Sequence, residues 1–466
     1  MYYTESMKSR LTLLVLVIIF FIFCILRFYD LPHRAIFNWD QEQFSFQIYN
    51  LIHNHHPTLL GPRVSNDFGF YLAPYFTYLL APFYFVTRLH PVGMLLFLIA
   101  VNCTFFFLSY KVISRLFSST HALFFLFLWT ISSSLQQLET VAWWPILIPP
   151  GVMIMWYMQS RIYKHPQIIR LWTATGLLAG LFMNMHFQFI FILTQLGLFF
   201  LLLKIKNKQI PLRNFVALMI SFGLMFTPLF IFDLRNHFLN SQLFFNYFLH
   251  KDTIYAGGFG GQWPFIFAIL MAPYIFVRTV AAGTIAFATM IGATIYGWRK
   301  SSGFKSLFYL THAVMILCAF IGFTIMGIRP SEYYFLFLIP IFLISLIDLA
   351  LENKLILPLV AFCIIATSAN MASLTQHLNP HFDSLRYKDD LVKEIQHQVG
   401  NKKFFISFGG PPGSDTGFRY LILIRGLNSS SDGRNPQIQV WSPPPDPKNA
   451  FGGFGIIYPP ELERKR

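Results

Sequence analysis

"RLTLLVLVIIFFIFCILRFYDLPHRAIFNWDQEQF", residues 10–44, carries the two signals on which the fold turns. Residues 11–28 form an apolar run long enough to cross a bilayer, whose ~30 Å core needs about 20 such residues. Lys8 and Arg10 precede it as in a signal peptide, but no small-residue cleavage site follows. It therefore reads as an uncleaved first span. Directly after it come two carboxylates, Asp40 and Glu42, among Trp39, Phe44, Phe46 and Tyr49. Polar groups next to a membrane are costly and tend to be functional.

The rest of the chain extends the first span. Of 466 residues, 55% are hydrophobic and only 12% charged, against about 25% charged in soluble domains. Apolar runs recur along most of the length, so the expected class is an all-α polytopic membrane protein. The formal charge of +15 does not indicate nucleic acid, because the basic residues fall between apolar runs. All these basic clusters face the cytoplasm if about eleven spans run near 11–28, 91–110, 121–136, 145–159, 171–185, 187–203, 214–232, 280–298, 306–327, 333–351 and 355–373. Two further apolar stretches, 69–88 and 263–279, then lie as juxtamembrane helices at the outer interface. Cys24, Cys103, Cys318 and Cys363 lie in apolar runs and show neither metal nor disulfide spacing.

This topology collects polar residues on one face. The long first loop, 29–90, carries Asp40, Glu42, Arg63 and Asp67. Shorter turns carry "QQLETVAWWP" (136–145), "NMHFQF" (184–189), "FDLRNHFLNSQ" (232–242) and "GIRPSEYY" (327–334). "HNHH" (53–56) does not place three imidazoles on one helix face, which argues against zinc. Residues 376–466 are polar and read as a small soluble α/β domain beyond the membrane part, 1–375. A helix is expected over "SLRYKDDLVKEIQHQVG" (384–400), with strands at "KFFISF", "RYLILIRGL" and "QIQVWS". "GGPPGSDTG" (409–417) lacks the Gly-Lys-Ser/Thr ending of a phosphate loop and reads as a turn.

A short N-terminus, one span and an acidic motif in a long outer loop resemble the GT-C glycosyltransferases. The likeness is to the protein-O-mannosyltransferase and aminoarabinose-transferase group. It rests on "NWDQEQF" (38–44), "FYLAPYFTYLLAPFY" (70–84), "MHFQFIFIL" (185–193), "FDLRNHFLN" (232–240) and "SEYYFLFLIPIFLISL" (331–346), in that order. Many members carry adjacent Asp-Glu, whereas Gln41 separates the pair here. The resemblance implies a GT-C-like fold and sugar transfer from a polyprenyl-phosphate donor to a protein, lipid or glycan acceptor at the extracytoplasmic face. Asp40 would be the general base. Glu42 would orient the acceptor, or share a divalent cation (Mg²⁺ or Mn²⁺) with Asp40. Arg329 and Arg235 would clamp the donor phosphate, with His186 and His237 as hydrogen-bonding partners. Glu139, Arg63, Asp67 and Tyr333 would line the acceptor or sugar site. The implied location is a bacterial inner membrane, with the N-terminus in the cytoplasm and residues 376–466 outside.

Ordinary structural roles compete at each position. Asp40 could cap a helix, Arg235 pair with Asp233, His186 pack in its hairpin and Arg329 snorkel to the interface. Trp143 and Trp144 suit an interfacial aromatic belt. Among functions, a transporter or lipid flippase and a surface-polysaccharide polymerase or ligase stand as alternatives. Uncharged span centres and a polar outer face favour surface chemistry.

Overall fold

A computed structural model describes residues 2–64, 69–206, 210–249, 279–326, 332–430, 435–446, 450–460 and 462. Helices form wherever spans are expected, but not all have spanning length. Six described helices are long and apolar enough to cross a membrane: Arg10–Phe28, Val92–Leu116, Phe187–Lys206, Ala281–Lys300, Gly303–Thr324 and Ile356–Gln376. Two more candidates are bent pairs, Ser133–Glu139 with Trp144–Lys164 (114°) and Leu212–Leu224 with Thr227–Arg235 (54°). Counting each pair as one span gives up to 8 among the described residues, which leaves the expected count of about eleven unconfirmed. Ser119–Thr130, Ile169–Met183 and Ile339–Glu352 have 12, 15 and 14 residues, below the roughly 20 needed. Each stops where the chain turns at a polar or aromatic segment. The chain is a multi-pass integral membrane protein.

The first loop contains helix Trp39–Ile52, an extended antiparallel pairing of 61–64 with 70–73 and helix Tyr75–Val86. The expected helix over 69–88 therefore begins late. Residues 70–73 instead pair with 61–64, through Gly61 N–H to Leu72 O (2.7 Å), Leu72 N–H to Pro62 O (3.0 Å) and Val64 N–H to Phe70 O (2.8 Å). Gly61 is required by this closeness, since a Cβ there would lie 2.3 Å from Ala73 O. Helix Tyr75–Val86, with 12 residues, is about 18 Å long and too short to cross. Its partner stretch, 263–279, lies outside the described residues except for Thr279.

Two buried arginines anchor the end of the first span. Arg27, fully buried, donates to Glu139 Oε2 (2.7 Å), Thr130 O (2.5 Å) and Trp129 O (3.1 Å). Glu139 also accepts from Trp129 Nε1 (2.7 Å). Arg34 donates to Leu26 O (2.9 Å) and Tyr29 O (2.9 Å), filling carbonyls left open at the helix end, and to His377 O (2.6 Å).

Beyond the last helix of the bundle, helix Leu385–Val399 ends at Gly400 (φ 56°). Strands β1 (Phe404–Gly409), β2 (Ser429–Ser430), β3 (Gln437–Trp441), β4 (Ala450–Phe451) and β5 (Phe454–Ile457) form one sheet of order β2-β1-β3-β5-β4. β1 is parallel to β2 and β3, and β5 is antiparallel to β3 and β4. "RYLILIRGL", expected as a strand, is helix Phe418–Ile424. The topology explains the change, because a parallel β1–β2 pair needs a crossover and this segment supplies it. Its buried Phe418, Tyr420, Leu421 and Ile422 join an apolar core continuous with that of the helical body.

Breaking a buried ion pair from one side leaves an unpaired charge and costs about 3–5 kcal/mol. Arg27→Met and Glu139→Leu should each lower unfolding stability in detergent by that order. The double variant should lose less than the sum, as read by a double-mutant cycle of denaturant unfolding.

Candidate functional site

A cavity of about 580 Å³ opens where the first loop, the 139–147 turn, the 184–189 hairpin and the segment around Tyr333 meet. Each wall has a local cause. Helix Trp39–Ile52 starts with a capping box, in which Gln41 Oε1 accepts from Asn38 N–H (3.3 Å). Gln41 Nε2 donates to Ala142 O (3.0 Å), which ties this helix to the turn bearing Trp143 and Trp144. Asn184 Oδ1 accepts from Ala73 N–H (3.0 Å), and Asn240 Oδ1 from Tyr71 N–H (2.7 Å). These two amides fasten residues 70–73, and 61–64 paired with them, to the bundle, with Arg63 and Tyr71 lining the cavity. The Gln188 amide nitrogen, facing Tyr334 O at 2.6 Å and Tyr333 O at 3.2 Å, holds the fourth wall.

Four of the residues expected from sequence line this cavity: Asp40, Arg63, His186 and Tyr333. No hydrogen bond or ion pair from another described residue reaches the Asp40 carboxylate, and burial raises its pKa to about 6. Arg63 gives Nε–H to Gly69 O (2.8 Å) and lies over the Tyr71 ring at 5.2 Å. No described residue takes a hydrogen bond from its terminal nitrogens, which can therefore meet an anion. His186 begins a short 3₁₀ turn, its Nδ1 accepting from Gln188 N–H (3.1 Å), with Tyr333 and Tyr334 edge-on to its ring. Burial lowers its pKa to about 3, so the imidazole is neutral.

The other expected residues lie elsewhere. Residues two apart on a helix are rotated by about 200°, so Glu42 points away from the cavity that Asp40 faces. Glu42 accepts from Tyr420 N–H (3.0 Å) in the C-terminal unit. The two carboxylates therefore do not converge on a shared cation. Among the described residues no group of three or more His, Cys, Asp or Glu could hold a metal ion. Glu139 is committed to Arg27 and Trp129. Asp233 accepts from Asn240 N–H, Ser241 N–H and Ser241 Oγ–H instead of pairing with Arg235. That turn leaves Arg235 and His237 exposed and outside the cavity lining. Asp67 and Arg329 lie outside the described residues.

Sequence reasoning missed Gln43, Tyr71, Trp144 and Tyr334 as lining residues, and it read Trp143 and Trp144 as an interfacial belt. Trp143 stands 4.5 Å, centroid to centroid, from Tyr333. Its buried Nε1 has no hydrogen-bond partner among the described residues. The available signal was the doubled tryptophan just before Pro145 in a turn already placed on the polar face.

No family model and no curated protein matches the chain. Among solved structures it is similar to ArnT from Cupriavidus metallidurans bound to undecaprenyl phosphate, with TM-score 0.54, 11% identity, and coverage of 92% of this chain and 93% of that one. The apo form of the same protein gives TM-score 0.54 and 12% identity over 94% and 93%. The Archaeoglobus fulgidus oligosaccharyltransferase in complex with Zn and sulfate gives TM-score 0.51 and 13% identity over 94% of this chain and 64% of that one. At these identities the likeness concerns the fold, and the chain shares the GT-C fold of these proteins.

His186 should stay neutral from pH 5 to 8. Its ¹⁵N resonances in labelled protein should not move over that range, whereas an imidazole titrating near its ordinary 6.5 would shift midway.

Proposed function

We propose that the chain is a membrane glycosyltransferase that moves a sugar from a polyprenyl-phosphate donor to a protein, lipid or glycan acceptor, with Asp40 as general base. One observation carries the reading. A carboxylate and an arginine terminus, both without partners among the described residues, face the same aromatic cavity, in a fold shared with a protein seen bound to undecaprenyl phosphate. The cavity opens at the face taken as extracytoplasmic from the charge pattern, and a bacterial inner membrane is the proposed location.

The chemistry follows from these groups. The acceptor oxygen attacks the anomeric carbon while the bond from that carbon to the phosphate oxygen breaks. The polyprenyl phosphate leaves with the bonding electron pair. Asp40 takes the acceptor proton, and its raised pKa brings its basicity near the operating pH. Arg63 faces the charge growing on the leaving phosphate, and its planar donors suit two phosphate oxygens. Trp143, Trp144, Tyr71 and Tyr333 offer flat apolar faces and polar tips to a sugar ring. The neutral His186 presents Nε2, its other ring nitrogen being engaged by Gln188 N–H. No step is assigned to a divalent cation on Asp40 and Glu42, whose carboxylates face different neighbours.

Purified protein given a polyprenyl-phosphate sugar should form a covalent product. Asp40→Asn should cut turnover by about 10²–10⁴-fold with the fold intact. Near-wild-type turnover in that variant would reject Asp40 as the base, and substrate counterflow without product would favour a transporter. The wild-type kcat/KM should fall as pH drops through about 6, because protonation removes the base. Arg63→Ala should weaken polyprenyl-phosphate binding by roughly 10–100-fold, the loss of one or two charge-assisted hydrogen bonds.

A further inference from the structure

The carboxylate that faces the cavity has no bond of its own among the described residues, yet the residues on either side of it are tightly held. Most of that hold comes from the far end of the chain. We propose that the C-terminal unit is a positioning clamp for Asp40, acting through Lys388, Gly417 and the Tyr420 backbone amide. This deepens the transferase reading and rests on it for the role of Asp40.

Lys388, on helix Leu385–Val399, is fully buried. Its ammonium donates to Phe37 O (2.6 Å) and Thr416 O (2.8 Å) and pairs with Asp383. A buried lysine is costly unless its donors are filled. Here two of its bonds go to backbone carbonyls, and one of those carbonyls directly precedes Asn38, the cap of the Asp40 helix. Burial lowers the lysine's pKa, opposed by the negative charges of Asp383, Glu42 and Asp415.

Gly417 gives an independent sign. It closes the "GGPPGSDTG" loop at φ 86°, and a Cβ on it would lie 2.3 Å from that same Phe37 carbonyl. The loop that fails as a phosphate loop therefore fits tightly against the entry to the catalytic helix. On the other side of Asp40, Glu42 accepts from Tyr420 N–H (3.0 Å). Two backbone bonds complete the hold, Leu385 N–H to Ala35 O (2.9 Å) and Phe37 N–H to Asp383 O (3.3 Å). Residues 35, 37 and 42 are thus pinned while residue 40 stays free to react. A displacement of about 1 Å at a reacting group costs on the order of 10²-fold in rate. A remote clamp can therefore govern turnover without touching substrate.

The test uses full-length protein in lipid nanodiscs, with Lys388→Met and Gly417→Ala as separate variants. Transfer kinetics and amide hydrogen exchange are both measured. The expected result is a fall in kcat of about 10–100-fold with the donor KM within about twofold, since Arg63 and the aromatic walls are untouched. The acid limb of kcat/KM should move below the wild-type value, because a loosened helix admits water to Asp40. Amides of residues 37–42 should exchange at least about tenfold faster, with helix Val92–Leu116 unchanged. Wild-type exchange at 37–42, or a kcat loss equal to the loss of folded protein with an unmoved acid limb, would overturn the clamp. If wild type transfers no sugar, the transferase reading falls and the exchange arm alone decides the clamp. If Lys388→Met does not fold, Gly417→Ala, which removes no charge, decides by the same criteria.

Discussion

The buried guanidinium of Arg27 sets the geometry at the cavity end of the helices. A charge in apolar surroundings is tolerated only when its donors are filled. Filling them joins parts of the chain that are far apart in sequence. The carbonyls of Trp129 and Thr130 come from the end of one helix, and the Glu139 carboxylate comes from the short helix after it. The Glu139 backbone carbonyl in turn takes a hydrogen bond from Asn102 (3.0 Å), which adds a third helix. The break between residues 130 and 148 is therefore a fixed turn, and Trp143 and Trp144 face the cavity because of it. Arg34 extends the same logic, binding the end of the first span to the end of the last long helix.

Against that background the state of Asp40 stands out. Glu42, Glu139, Asp233, Asp348 and Asp389 all have hydrogen-bonding or charged partners. Asp40 has none among the described residues, and its environment raises its pKa instead of lowering it. A carboxylate kept desolvated and unpaired is costly for stability and useful for taking a proton. The aromatic walls contribute to both effects, since they exclude water without supplying a countercharge.

Much of this was legible in the sequence, for reasons that particular residues make clear. Charge parity placed the first loop, the 184–189 hairpin and the Tyr333 segment on one face, and the cavity gathers Asp40, Arg63, His186 and Tyr333 there. The pairing of Arg27 with Glu139 spans 112 positions, and nothing local announces it. Its only trace was a charged residue at the end of an apolar run. The outward turn of Glu42 follows from helical phase alone once a helix begins at Trp39, so that misassignment was avoidable. Residues 418–424 read as a strand because a short apolar run rich in Leu, Ile and Tyr has no distinguishing period. Only the parallel pairing of its neighbours makes it a helix. The described helices do not confirm the span count, because hydropathy marks where apolar segments lie, not where a helix stops short, as before Ser132 or at Asn184.

The hold on Phe37 also has a consequence in time. Lys388 and Phe37 are 351 positions apart, so the ribosome makes the Asp40 loop early and its fastening late. At ~5–20 residues per second, the loop waits roughly 20–70 s for its partner. During that interval the first spans are already in the bilayer while Asp40 is not yet fixed in place. On the proposed transferase reading, the centre is finished only after Lys388 has been made, and a chain cut before it lacks that fastening.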